Sequence, residues 1–205
     1  MKSDLSSYRY GSAGRGYAHA YLLPAVQSAL SAISSRRIFE IGCGSGYIAN
    51  CLAALGYEVI ATDPSEEGIR FARETYTLPR FHQTDAYEPL ADRFGRFPAV
   101  ISLEVVEHVM WPRKFIATCR DLLEPNGTLI LSTPYHGWLK NVAIAVSGNF
   151  DKHVDPLWDG GHIKFWSERT LAALLTEAGF RDLQFVRVGR IAPLAKSMIA
   201  IARRQ

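Results

Sequence analysis

Cysteine is scarce in this chain and follows no pattern. Cys43, Cys51 and Cys119 are odd in number and none belongs to a CxxC pair, which argues against a disulfide framework and for reduced thiols in a cytosolic compartment. An excess of one charge is also lacking. The net charge of +3 leaves room for a basic patch but does not by itself call for nucleic acid or an anionic membrane. Long apolar runs are missing too. The segment NVAIAVSG from Asn141 is far too short to span a bilayer, and the opening MKSDLSSYRYGSAGRG has no apolar region of the kind a secretory signal needs. There is no internal repeat, and no low-complexity linker beyond the Ser/Gly/Tyr-rich start, which is either loose or folded over a ligand. What remains is a soluble globular chain of 205 residues, enough for one large domain with a sizeable core.

From Arg36 onward, two kinds of pattern alternate. RIFEIGC is a short β-rich run, YIANCLAALG a helix closed by Gly56, YEVIATD a strand, and PSEEGIRFARETY a helix with Pro64 near its start and acids in the first turn. RFHQTD, PAVISLE and GTLILSTP follow as strands, the last entered through the turn PNG. SERTLAALLTEAGF is a helix with a serine cap and a glycine stop, and DLQFVRVG and SMIAIARR are final strands with no helix between them, hence antiparallel neighbours. The expected fold is therefore α/β: an open, mainly parallel sheet with helices on both faces. Ligands of such sheets bind beyond the carboxyl ends of the strands, near the switch in strand order.

The chemistry-bearing residues fall at those ends. EIGCGSG places Gly42, Gly44 and Gly46 after the first strand, where a sharp turn must approach a ligand without a Cβ in the way. The rival reading is a dinucleotide site, but the GxGxxG spacing fails because position 47 is tyrosine. Glu40 just ahead of the loop would repel a pyrophosphate and suit a ligand carrying positive charge. Asp63 ends the second strand, where an acid can accept both hydroxyls of a ribose; Asp85 ends the third, within reach of an adenine amino group. Each acid alone reads more simply as a helix cap or a solvated turn. Together, at successive strand ends, they point to a nucleoside with a cationic group.

FEIGCGSG, ATDPS, QTDAYEP and SLEVVEHV, in that order, resemble the class I S-adenosylmethionine-dependent methyltransferases, a likeness running from about Arg36 to Arg203. The resemblance implies a Rossmann-like seven-stranded, mainly parallel sheet with an antiparallel last strand, and S-adenosylmethionine over Gly42 to Gly46. It also implies Asp63 on the ribose, Asp85 and Ala86 flanking the adenine, and Glu40 supporting the loop near the methionine part. Glutamate at position 40 departs from the aspartate most common there. Residues 1–35 are expected as a helical segment covering the cofactor site, with Arg15, Tyr17 and His19 available to close over it, and 36–205 as the methyltransferase domain.

LEVVEHV puts Glu104, Glu107 and His108 behind the fourth strand. If Glu104 begins a helical turn, positions i, i+3 and i+4 share a face, and the three could converge on Mg²⁺, Mn²⁺, Fe²⁺ or Zn²⁺. His162 in WDGGHIKFW is a fourth candidate, two glycines letting its ring turn inward. The plainer alternatives are a helix start with well-placed acids and a surface histidine. EVVEH with a later GHIKFW resembles two branches of the methyltransferases, the ubiquinone-biosynthesis O-methyltransferases and the small-RNA 2′-O-methyltransferases. In both, this cluster holds a divalent metal beside vicinal hydroxyls. That likeness implies a metal site of Glu104, Glu107, His108 and His162. A metal there lowers hydroxyl pKa values and orients one oxygen toward the methyl carbon, whereas without it His108 or His162 is left as general base.

Between about 135 and 166 lies a long connector rich in aromatics, read as an acceptor-site insertion. Its WLKNVAIAV is an amphipathic helix, and the 138–150 region is suited to touch a membrane or a lipid tail; most of the aromatics read equally as packing. His153 and Asp155 are candidates to contact substrate, and Arg203 and Arg204 read as a solvated strand end. The leading expectation is a cytoplasmic enzyme, peripheral to a membrane if the 138–150 helix touches one. It would O-methylate a small molecule with adjacent hydroxyls, of catechol or quinone-precursor type. Alternatives are a 3′-terminal ribose 2′-O-methyltransferase of RNA, disfavoured by the mild charge and lack of an RNA-binding segment, a methylase of a sugar or secondary metabolite, and a binding protein without turnover. Oligomeric state is not written in the sequence.

Overall fold

The computed structural model describes residues 16–205. Seven strands form one sheet in the order β3-β2-β1-β4-β5-β7-β6: β1 (Arg37–Ile41), β2 (Glu58–Asp63), β3 (Arg80–Gln83), β4 (Phe97–Leu103), β5 (Leu123–Pro134), β6 (Phe180–Val188) and β7 (Ser197–Arg204). The first five strands run parallel, and β7 is antiparallel to both β5 and β6. Chain order runs outward from β1 through β2 to β3 and then returns to β4 on the other side of β1. The switch in strand order therefore lies between β1 and β4, and the carboxyl ends of those two strands frame a crevice.

Helices cover both faces. On one, α1 (His19–Ser31), α2 (Tyr47–Ala54) and α3 (Glu66–Thr75) bury Leu22, Val26, Ile48, Leu52, Ile69 and Ala72 against β1, β2 and β4. On the other, α4 (Leu90–Phe94), α5 (Pro112–Asp121) and α7 (Glu168–Glu177) bury Leu90, Phe115, Ile116, Cys119, Leu171 and Leu175 against Phe39, Val100, Leu129 and Leu131. β1 and β4 are buried on both sides, as central parallel strands must be, so they read as apolar runs and not as alternation. A further helix, α6 (Trp138–Val146), lies beyond the end of β5. Among the described residues, no helix is long and apolar enough to cross a membrane.

Local chemistry sets the helix boundaries. Ser65 caps α3 by accepting from Gly68 N at 3.1 Å, with Glu66 and Glu67 in the first turn. The helix thus starts after Pro64, two residues later than its sequence suggests. Ser167 and Thr170 form a reciprocal capping box on α7, and Gly179 with φ 83° ends it. Three expectations need correction. PNG is not a turn ahead of β5 but an irregularity within it, since Leu123 already pairs with Phe97 and the register slips before Thr128 meets Ala99. Asn126 takes φ 62° there. Arg204 is not simply solvated, because it donates to the carbonyl of Leu123. Residues 104–108 are a turn and not a helix, because Glu104 has φ 55°, outside the right-handed region a helical turn requires.

Candidate functional site

The glycine loop is tied to the end of β2. Gly42 N and Cys43 N both donate to Thr62 O, at 2.7 and 3.0 Å. Gly44 N donates to Asp63 Oδ2 at 2.8 Å, and Ser65 N to Asp63 Oδ1 at 2.8 Å. Asp63 is thus buried as the brace between the loop and β2; each oxygen keeps a second lone pair for a ligand hydroxyl. Burial raises its carboxyl to about 6, against the lowering effect of the Ser65 and Gly44 amides. Gly42 has φ 78°, and a Cβ there would sit 2.3 Å from Val105 Cγ2. A hydrogen at this position lets the loops after β1 and β4 close on each other. Between them is a narrow slot whose lining includes Gly42, Thr62, Asp85, Ala86 and Val105. Asp85 Oδ1 accepts from Tyr87 N at 2.9 Å, which fixes the turn at the mouth.

Glu40 lies on β1, 2% exposed, and its Oε2 has no hydrogen-bond partner in the protein. Burial, then the charge of Asp63, raises its carboxyl to about 8. An unsatisfied acidic oxygen beneath a glycine loop fits a ligand bringing positive charge, as the sulfonium and ammonium of S-adenosylmethionine do. In the ligand-free protein the same group sets a pH dependence. A carboxyl raised in the folded state gives stability that is complete below its ordinary value near 4.5 and is lost as pH rises through about 8. Melting temperature should therefore fall by several degrees between pH 6.5 and 8.5. Glu40→Gln should flatten part of that slope, the remainder belonging to Glu104 and Glu107. Equal slopes in the two proteins would contradict this account of Glu40.

A second cluster stands behind β4. One ligand atom from each of Glu107, His108 and His162 lies within 4.8 Å of the others, and Glu107 Oε1 is 3.9 Å from His108 Nε2. Glu107 is 1% exposed and neither carboxylate oxygen has a hydrogen-bond partner. Thr133 is near enough to lower its pKa but outside hydrogen-bonding geometry. Burial, then the Glu104 charge, raises the Glu107 carboxyl well above its usual range. His108 Nδ1 faces two carbonyls, Gly160 O at 2.7 Å and Gly161 O at 3.1 Å. Carbonyls only accept, so Nδ1 carries the proton and Nε2 presents the lone pair toward Glu107. Burial, then His108, lowers His162 to about 4, so at neutral pH its ring is uncharged and able to ligate. Three backbone-directed bonds clamp the two segments together: Ile163 N and Lys164 N donate to Glu107 O at 2.9 and 3.0 Å, and Trp166 Nε1 to Val106 O at 3.2 Å.

Glu104 stands apart from this set. Its Oε1 accepts from Ser132 Oγ at 2.7 Å and its Oε2 from Ser197 Oγ at 3.1 Å, and burial raises it to about 7. The left-handed backbone at Glu104 turns the side chain toward β5 and β7, where a helical turn would have aimed it with Glu107 and His108.

The other expected residues are distributed as follows. Gly44 and Gly46 shape the loop, at φ 54° and 81°, and Gly46 packs on Phe81 and Ala72. His19 stacks on Tyr47 at 5.0 Å, and Tyr17, just ahead of α1, receives a hydrogen bond from Lys196. Arg15 lies outside the described residues. His153 and Asp155 line a second, larger cavity next to His162. Sequence reasoning missed that this cavity also takes Lys140, Arg190 and Lys196. One signal was available: Lys140 is the single charged residue of the apolar helix α6 and is buried there.

The methyltransferase-domain family matches residues 15–184. The chain belongs to the class I S-adenosylmethionine-dependent methyltransferases. This methyltransferase is 38% identical over 117 residues to a ubiquinone biosynthesis O-methyltransferase of Caulobacter sp. (strain K31), a match covering 55% of this chain and 46% of that protein. The chain thus spans about half the length of the curated relatives it matches. Its fold is that of the magnesium protoporphyrin IX methyltransferase of Synechocystis PCC 6803 with bound S-adenosylhomocysteine. The TM-score is 0.69 at 21% identity, over 90% of this chain and 82% of that one. It is also that of the methyltransferase domain of a bacterial Hen1 (CtHen1-CN), with a TM-score of 0.67 at 18% identity, over 89% and 97%.

Proposed function

We propose that this methyltransferase carries the methyl group of S-adenosylmethionine to a hydroxyl of a small acceptor with two adjacent hydroxyls, of the catechol or quinone-precursor kind. A divalent cation held by Glu107, His108 and His162 assists. The observation that carries this reading is Glu107: a fully buried carboxylate with two unpartnered oxygens, facing two imidazoles held neutral. An isolated buried carboxylate is costly, and a cation removes the cost. Two imidazoles and one carboxylate suit Mn²⁺, Fe²⁺ or Zn²⁺ better than Mg²⁺. When bound, such an ion supplies Lewis acidity that lowers the pKa of neighbouring hydroxyls.

The chain's own groups do the positioning. The Gly160 and Gly161 carbonyls fix the His108 tautomer, and Trp158 packs at 5.7 Å from the His108 ring and 5.3 Å from His162. The slot between Gly42 and Val105 lies at the end of β4, next to this cluster, and that adjacency supports methyl transfer from a cofactor in the slot to an acceptor at the cluster. The relatives named as ubiquinone biosynthesis O-methyltransferases support oxygen as the methylated atom. A terminal ribose is also a vicinal diol, which keeps RNA as the second acceptor to assay. The exposed Trp138, Val142 and Val146 of α6 support contact with a lipid surface or an acceptor's lipid tail.

The test is calorimetric titration of Mg²⁺, Mn²⁺, Fe²⁺ and Zn²⁺ into chelator-stripped protein saturated with S-adenosylhomocysteine. One ion per chain is expected, with turnover of catechol and none of phenol. If no ion binds, the metal-assisted reading fails.

A further inference from the structure

The larger cavity beside His162 has a volume of about 290 Å³ and is open on one side. Its wall comes from three separate parts of the chain. Pro134, His136 and Lys140 come from the end of β5 and α6, His153, Asp155, Trp158 and His162 from the insertion, and Arg190 and Lys196 from the β6–β7 connection. Three cations thus face a single carboxylate, Asp155. Elsewhere on the surface Arg70, Arg80, Arg113 and Arg187 each pair with a glutamate. Among the described residues, Lys140, Arg190 and Lys196 form no ion pair. Lys140 is 9% exposed, and its ammonium reaches only the carbonyl of Lys196, at 3.2 Å. The Glu104 carboxylate acts on it only from beyond ion-pair distance, as a weaker influence than burial and Arg190, and a lysine is rarely buried with so little countercharge.

We propose that this cavity binds an anionic group, a carboxylate or a phosphate, carried by the small methyl acceptor, so that Lys140, Arg190 and Lys196 hold one end of the molecule while its hydroxyl pair lies at Glu107, His108 and His162. The inference rests on the acceptor reading above and adds the charge of the substrate to it. The cavity adjoins the metal-ligand candidates through His162 itself and through Trp158, which contacts both histidine rings. Burial and then the neighbouring Arg190 lower Lys140 to about 8, a mutual repulsion that an anion relieves. Arg190 offers a planar fork suited to either oxyanion. A rigid acceptor anchored at both ends presents a fixed oxygen to the methyl group.

The probes are benzoate, inorganic phosphate and the neutral twin benzamide, titrated into the full chain stripped of metal and saturated with S-adenosylhomocysteine. One of the two anions should bind at least tenfold more tightly than benzamide, and the preferred anion identifies carboxylate or phosphate as the natural group. Because Arg190 is exposed, Arg190→Gln should leave the melting temperature unchanged and weaken that anion at least tenfold, with Arg190→Lys keeping part of the affinity. Equal binding of benzoate and benzamide with no binding of phosphate overturns the proposal, as does anion binding unaltered in Arg190→Gln and Lys140→Met. Tight binding of a short RNA with neither small anion bound also overturns it, in favour of a nucleic-acid acceptor. These titrations involve no metal and no turnover, so anion binding can stand where metal assistance fails, and metal binding without anion binding sinks this inference alone.

Discussion

Replacing Glu107 by glutamine should lower divalent-metal affinity at least 100-fold, about 2.7 kcal/mol, and abolish turnover, while leaving S-adenosylhomocysteine binding intact. The amide is nearly isosteric, so packing is retained and only the charge disappears. In the metal-free protein Glu107 is buried with neither oxygen satisfied, and its removal should raise the melting temperature or leave it unchanged. Glu104→Gln is the contrasting case. Its carboxylate rests on Ser132 and Ser197, so it acts on the site chiefly through its charge on Glu107, and its loss should cost only about tenfold. Calorimetry and thermal melting on the two variants read both effects. Equal losses would show that Glu104 leaves its serines to join the ligands, and an unchanged Glu107→Gln would remove the site altogether.

Gly42→Ala should weaken S-adenosylhomocysteine about 100-fold. Two costs act together. The left-handed backbone at φ 78° penalises any Cβ by roughly 1–2 kcal/mol, and the added methyl would sit 2.3 Å from Val105 Cγ2, so the loops after β1 and β4 must separate. That separation opens the slot where Gly42, Asp85 and Ala86 meet. The double variant Gly42→Ala/Val105→Ala should recover part of the affinity, because it removes the clash but not the backbone strain. If the single variant binds normally, the closeness of the two loops is irrelevant to the cofactor.

Much of this architecture could be read from the sequence because it rests on local signals. Serine caps, glycine stops and apolar strand runs each act within a few residues, and so Asp63 was placed at its strand end, while β1 and β3 stop at Ile41 and Gln83, a residue or two short of Gly42 and Asp85. Helix α5 is not among the elements expected from the sequence: it has no side-chain cap, although Phe115, Ile116 and Cys119 mark its buried face. The geometry of Glu104 was beyond reach: at a single left-handed residue its carboxylate is tied to Ser132 and Ser197, and no spacing rule distinguishes that from a helical turn. His162, by contrast, was named from its motif, and the hydrogen bonds from Ile163 and Lys164 to Glu107 O explain why the two segments travel together. Lys140, Arg190 and Lys196 come from elements far apart in the chain, and only the packing of α6 beside the β6–β7 connection reveals them as one group.

Those same bonds govern traffic. Glu107 O, Gly160 O and Gly161 O anchor one end of the aromatic insertion to the turn behind β4, so that end cannot lift without dismantling the ligand cluster itself. The opposite side, by α6 with its outward Trp138 and Val146, carries none of these bonds, and an acceptor is expected to enter there. A door hinged at the reactive centre and opening at its greasy far edge would admit a molecule tail-last, polar head foremost.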